Sequence, residues 1–323
     1  VSDKRPTSVI ERAAQRLAQL KNAGIDVAPP AAGASAQREG AVALDPGQPL
    51  PPMPPLGPAT AAPAAPRVAA PAPAAAAAAP PARRVDIDLD RLAGMSYLTP
   101  AAPRSQLADE YRVIKRSLLQ HIDARPAEAI NPTNLIMVTS ALPGEGKTFT
   151  AINLAMSMAS ELDRTVLLVD ADVQRPAVLD RLGLPRSKGL LDLLTDPSVA
   201  LHDVLLKTNV DKLALLPAGT AHAQATELLA SDAMDRLLVD ISSRYPDRVL
   251  VFDAPPLLAS TESRVLATHM GQVVVVVSAD KTPQASLMEA MRTIESCPLV
   301  YSVLNKTRRV GAGSYYGYYG YGY

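Results

Sequence analysis

A mainly parallel α/β sheet covered by helices on both faces is predicted by three features of the sequence. Short, continuously apolar segments alternate with stretches of helical periodicity. One apolar segment runs into a glycine-containing turn that ends Gly146-Lys147-Thr148 and opens a helix. Two later apolar segments each end in an aspartate.

Taken from the N-terminus, residues 1–27 form a short helical region. Ile10, Ala13, Ala14, Leu17 and Leu20 recur at helical spacing, and Ser8 with Glu11 has the form of a capping box. This island reads either as a terminal helix or as a docking helix for a partner or a membrane surface. Residues 28–84 read as a disordered linker. Fifteen of the 30 prolines lie in 29–82, and 61–82 is 14 Ala, 6 Pro, one Arg and one Val, too little bulk to bury. The main domain then occupies 85–310, and 311–323 is a Gly/Tyr-rich flexible tail.

Within the main domain, 107–120 is an amphipathic helix. Leu135–Thr139 is a strand, 147–160 a helix and Thr165–Val169 the next strand. Leu190–Leu194 and 224–241 carry helical patterns, with Lys212–Leu216 a strand between them. Val249–Phe252, Val273–Val277 and Leu299–Leu304 complete the strands.

The turn after the first of the long strands reads Ala141-Leu142-Pro143-Gly144-Glu145-Gly146-Lys147-Thr148. This is the Walker A pattern, with Ala141 in place of its first glycine. Gly144 and Gly146 let backbone N–H groups curl around phosphate oxygens. Lys147 neutralises β and γ phosphates, and the Thr148 hydroxyl is the expected Mg²⁺ ligand. We assign Gly144, Glu145, Gly146, Lys147, Thr148 and Phe149 to nucleotide binding. Asp170 and Asp172 leave the next strand one residue apart, and Asp253 stands where a Walker B aspartate would hold Mg²⁺. Thr148 and Asp253 are the expected metal contacts, Lys147 and Asp253 are expected to act in catalysis, and Asp170 and Asp172 can both reach the same edge of the site. Arg175 reads as a contact to phosphate or to a neighbouring subunit, or as a surface arginine. Asn305 reads either as a group facing a purine edge or as a turn asparagine. ATP and Mg²⁺ are the cofactors implied.

Composition removes other classes. Thirty-two basic side chains balance 32 acidic ones, so no uniform field draws in nucleic acid, and none is expected as a partner. A single cysteine, Cys297, excludes an internal disulfide framework, and four scattered histidines argue against zinc. No apolar run approaches the roughly 20 residues of a membrane helix, and no signal core follows Lys4 and Arg5, so a cytoplasmic location is expected. There is no Trp and only two Phe. Six of the ten tyrosines crowd into the last nine residues: Tyr315, Tyr316, Tyr318, Tyr319, Tyr321 and Tyr323.

These motifs, in this order, resemble the bacterial tyrosine autokinases of exopolysaccharide synthesis over roughly 105–323. The shared segments are Thr139 to Thr148, Val169-Asp170-Ala171-Asp172 with Arg175-Pro176, Leu215 to Gly219, Glu227-Leu228-Leu229, Asp253-Ala254-Pro255-Pro256, Val303 to Lys306 and the tyrosine-rich end. The resemblance implies a doubly wound parallel P-loop sheet of the partitioning-ATPase-like group. It also implies transfer of the ATP γ-phosphoryl group, in trans, to the six tail tyrosines of a neighbouring subunit. Asp170 would assist deprotonation of the incoming tyrosine, and Asp172 would serve as a metal or positioning group. The family's subunit-contact pattern Glu-x-x-Arg-x-x-Arg is matched by Asp109, Arg112 and Lys115, implying a homo-oligomer through the 107–120 helix. Lys lacks the planar fork of Arg at the third position. The separate form of the family, including the exosortase-associated type, implies a membrane-embedded chain-length regulator as activator, peripheral attachment to the inner membrane through it, and a cognate tyrosine phosphatase. The rivals are a partitioning or division-type switch ATPase and a nucleotide-binding scaffold of a polysaccharide assembly complex. The switch ATPases carry a lysine where this chain has Leu142, and they lack the tyrosine cluster.

Overall fold

The computed structural model describes residues 83–101, 104–124, 131–245 and 247–307, all within one unit spanning Ala72–Tyr323. The N-terminal helical region, nearly all of the linker and the six tail tyrosines lie outside the described residues.

The chain opens with β1 (Arg83–Val85), α1 (Leu89–Gly94) and α2 (Gln106–Ala124). Strand formation thus begins two residues inside the stretch assigned to the linker. Strand β2 (Leu135–Ser140) leads into α3 (Lys147–Ala159), followed by β3 (Thr165–Asp170). Three short helices, α4 (Val178–Leu182), α5 (Leu190–Thr195) and α6 (Leu201–Val204), precede β4 (Leu206–Thr208) and β5 (Leu213–Leu216). The helical stretch expected over 224–241 is two helices, α7 (Ala225–Leu229) and α8 (Asp232–Arg244). The break falls at Ser231, which takes an extended conformation and donates its hydroxyl to the Leu228 carbonyl at 2.7 Å. The remainder is β6 (Arg248–Asp253), α9 (Thr261–Thr268), β7 (Gln272–Ser278), α10 (Gln284–Arg292) and β8 (Val300–Asn305).

The eight strands form one sheet in the order β1-β4-β5-β3-β6-β2-β7-β8. Every pairing is parallel except β4 with β5. The apolar runs are buried on both faces because side chains alternate across the sheet. Ile136, Val138, Val166, Leu168, Val249 and Val251 belong to one core. Their neighbours Leu135, Met137, Leu167, Val169, Leu250 and Phe252 belong to the other. No described helix is long and apolar enough to cross a membrane.

The central order β3-β6-β2 positions the site. It sets the ends of three strands side by side, with Asp170 paired in register to Asp253 and Val138 to Asp253 on its other side. The loop after β2 therefore meets both acidic strand ends at the carboxyl edge of the sheet, where ligands bind in such folds.

Candidate active site

A cleft of about 1270 Å³ opens at this edge, lined by the loop after β2, by Asp172, Gln174 and Arg175 after β3, by Pro255 and Pro256 after β6, and by Asn305 and Lys306 after β8. The loop owes its path to Gly144 and Gly146, which take φ of 80° and 106°. Ala141 replaces the usual glycine without strain, since it is absent from the left-handed positions, and it is fully buried. Gly146 begins α3, and no side chain caps that helix, leaving its first N–H groups available to an anion.

Lys147 reaches across this loop to the acidic strand ends. Its Nζ lies 2.6 Å from Asp172 Oδ2 and 3.8 Å from Asp253 Oδ1. Asp172 lines the cleft; Asp170 and Asp253 lie behind it, almost without solvent exposure. Asp170 Oδ2 accepts from the Ala177 and Val178 amides at 3.1 and 3.0 Å, while its Oδ1 has no hydrogen-bond partner. Both oxygens of Asp253 are likewise unpartnered. Burial pushes the pKa of Asp170 up, and the neighbouring Asp253 charge adds to this. Burial also raises Asp253, against the pull of Lys147 and of the Thr148 hydroxyl facing it.

The orphaned oxygens of Asp253 and the facing Thr148 hydroxyl suit a small hard cation. Among the described residues no group of three or more His, Cys, Asp or Glu is arranged to hold a metal.

The raised carboxylates make stability depend on pH. In the native state both bind protons more tightly than in the unfolded chain. Unfolding free energy therefore falls as pH rises from the ordinary carboxylate range toward neutrality. Urea midpoints in the presence of a chelator should be lower at about pH 8 than at about pH 5, and the Asp170→Asn/Asp253→Asn variant should lose much of that difference. An identical slope in both proteins would remove the assignment.

Other predicted residues fall differently. Phe149 and Arg175 do line the cleft, and the Phe149 ring sits 4.9 Å from that of Tyr97. Glu145 does not reach toward a nucleotide. It is 3% exposed, and its carboxylate accepts from the Leu142 amide at 2.7 Å and from the Thr282 hydroxyl. Asn305 does line the cleft, but its amide is already engaged. Nδ2 donates to the Glu145 carbonyl at 2.9 Å and Oδ1 accepts from the Lys306 amide at 2.8 Å, so it braces the loop and keeps one N–H and one lone pair unused by these bonds. Lys115, read as a subunit contact, is engaged within its own subunit. It is 7% exposed, donates to the Ser157 carbonyl at 2.7 Å and pairs with Glu161 at 2.6 Å, closing the C-terminal end of α3 within its own subunit. Asp109 and Arg112 stay at the surface and pair with each other.

Sequence reasoning overlooked Met95, Tyr97, Arg181, Glu262 and Lys306, all of which line the cleft. Lys306 donates to the Gly144 carbonyl at 2.5 Å. It stands beside Asn305 at the end of β8, so its position was a usable signal. Glu262 is held ionised, at about 2, against the opposing effect of burial, by hydrogen bonds from Ser260, Gln174 and Thr226. Tyr97 and Glu262 had no local pattern to mark them.

Residues 133–306 match a family described as AAA domain. Tyrosine-protein kinase YwqD of Bacillus subtilis (strain 168) is 30% identical over 220 residues, covering 68% of this chain and 88% of YwqD. The chain belongs to the bacterial tyrosine-kinase family. The chain is also similar to succinoglycan biosynthesis transport protein ExoP of Rhizobium meliloti (strain 1021). It is 31% identical over 229 residues, which are 68% of this chain and only 28% of ExoP. The kinase domain of Escherichia coli tyrosine kinase ETK superposes with a TM-score of 0.56 at 26% identity, covering 70% of this chain and 86% of that one. This family member is thus a protein-tyrosine kinase with an ATP-binding P-loop at the cleft.

Proposed function

We propose that this kinase transfers the ATP γ-phosphoryl group in trans to Tyr315, Tyr316, Tyr318, Tyr319, Tyr321 and Tyr323 of a neighbouring copy, and thereby regulates exopolysaccharide polymerisation and export. The observation that carries the chemistry is the convergence of Lys147, Asp172 and Asp253 on one loop that presents an uncapped helix N-terminus. The tail is taken as the acceptor because it holds six of the ten tyrosines, interspersed with glycines.

In this reading the Lys147 ammonium leaves its carboxylate partners for the β and γ phosphates. The N–H groups at the start of α3 bind phosphate oxygens, and Pro255 and Pro256 help close the cleft wall. Thr148, Asp172 and Asp253 would hold Mg²⁺, which when bound neutralises phosphate charge in the transition state. Asp170 assists removal of the tyrosine proton. Its support is a buried, unpartnered Oδ1 and a proton affinity raised toward the working range. The tyrosine oxygen bonds to the γ phosphorus, the bond to the β-γ bridging oxygen breaks, and ADP departs. The tail, which has no charged side chain, then becomes anionic: each phosphate adds about −1.5 to −2.

The location follows from the same reading: cytoplasmic, and held at the inner membrane by a membrane-embedded polysaccharide co-polymerase that activates the kinase. The similar protein ExoP is a succinoglycan biosynthesis transport protein. Homo-oligomer formation through α2 rests on the exposed Asp109 and Arg112, without Lys115. A cognate tyrosine phosphatase would reset the tail.

The test is incubation of the full chain with Mg²⁺ and labelled ATP, followed by mapping of phosphotyrosine. A chain ending at Gly313 should lose essentially all label while still binding ADP. Equal label on the two chains would overturn the tail assignment. ATP hydrolysis with no phosphotyrosine, even with the membrane activator, would favour a switch ATPase.

A further inference from the structure

The Walker A loop is braced from outside the cleft by a turn that the proposed chemistry does not use. Glu145 Oε2 accepts from the Leu142 amide at 2.7 Å, closing the loop on itself. Its Oε1 takes the hydroxyl of Thr282, 137 positions further along the chain. Thr282 Oγ1 in turn accepts from the Ser278 amide at 3.0 Å, and the Thr282 amide donates to the Ser278 carbonyl at 3.1 Å. The turn Ser278–Thr282 at the end of β7 is thus tied through one hydroxyl to one carboxylate. Asp280, with φ of 58°, lies inside it. The adjacent strand end adds Lys306 on the Gly144 carbonyl and Asn305 on the Glu145 carbonyl.

A carboxylate facing bound phosphates would repel them. Glu145 instead carries its charge away from the cleft, where two donors satisfy it. The loop's N–H groups can act on phosphate only if their directions are set beforehand, and few backbone bonds set them within a loop of this kind. We propose that Glu145 and Thr282 are a positioning pair that preforms the phosphate loop, so that the turn after β7 sets nucleotide affinity without touching the nucleotide. The inference rests on the reading of the cleft as an ATP site.

Calorimetric ADP titration of the full chain, with steady-state ATP kinetics beside it, decides the matter. Thr282→Val should weaken ADP binding and raise KM for ATP by about fivefold to tenfold, the scale of the net contribution of one hydrogen bond, while kcat changes less than about twofold. Thr282→Ser keeps the hydroxyl and should recover wild-type affinity. Glu145→Ala should weaken binding by about tenfold or more, and adding Thr282→Val to it should cost little further, because the two act as one unit. Thermal melts without nucleotide show whether Glu145→Ala folds; if it does not, the Val and Ser variants at 282 carry the decision. Unchanged affinity in Thr282→Val, equal losses in Val and Ser, or multiplying losses in the double variant would overturn the pair. Wild-type protein that failed to bind ADP would overturn the ATP reading as well. ADP binding without tyrosine phosphorylation would remove only the kinase chemistry and leave the strut standing.

Discussion

Lys147→Met should lower the rate of tyrosine phosphorylation by about 10²- to 10³-fold, the scale found when one preorganised charge is removed from a transition state. Methionine keeps the length and much of the packing of the side chain, so the change isolates the charge. In the wild type the ammonium sits 2.6 Å from Asp172 and 3.8 Å from Asp253, within the loop from which it would turn to the phosphates. The variant leaves the buried carboxylates without that cation, so phosphate approaches three acidic groups with less to offset them. Initial rates of label transfer from ATP, at saturating nucleotide, measure the effect. A rate within tenfold of wild type would mean that Lys147 is a structural partner of Asp172 and little else.

Gly146→Ala should abolish useful nucleotide binding by a different route. At φ of 106° a side chain is strained wherever it points, at a cost of about 1–3 kcal/mol. Here a Cβ would also stand 2.1 Å from Asn305 Nδ2, which is bonded to the Glu145 carbonyl. Relief requires the Asn305 side chain to give up that bond, which unbraces the loop and disturbs the N–H groups at the start of α3. We expect ADP affinity to fall by about 10- to 100-fold, with a small change in melting temperature because the loop lies at the sheet's edge and not in either core. Gly94→Ala is the matched control, since a Cβ there meets nothing within 4 Å. Equal ADP affinity in the two variants would show that the loop tolerates a displaced Asn305.

The strands and the loop were legible because their signals are local. Five consecutive apolar residues at Val273–Val277 have one outcome in a two-faced sheet, and all of them fall in β7. Helix α2 follows from its periodicity, although it runs from 106 to 124 and not from 107 to 120. Short elements escaped. Strand β1 is three residues of Arg-Arg-Val, and α4 is a single turn and a half. Neither is long enough to show a period, and both exist because longer neighbours hold them. Lys115 illustrates the limit for function. Its spacing on α2 is right for a subunit contact, but the face it shares turns toward α3, where Ser157 and Glu161 engage it.

By itself the sequence determined which chemistry-bearing groups stand together along the chain. A strand, a glycine turn, Lys147 and Thr148 are contiguous, and backbone geometry alone brings them to one helix N-terminus. It also determined that Asp170, Asp172 and Asp253 lie at strand ends. Only the tertiary structure decided that those ends are neighbours. Strand β6 inserts between β3 and β2, although about 80 residues of chain separate it from β3. That order depends on packing helices against both faces of the sheet, a long-range condition that no window of sequence contains. The same condition set Thr282 beside Glu145 and turned Glu145 away from the nucleotide. Identity of the reactive groups is a local property of the chain; which of them face each other is decided by burial of the two apolar faces.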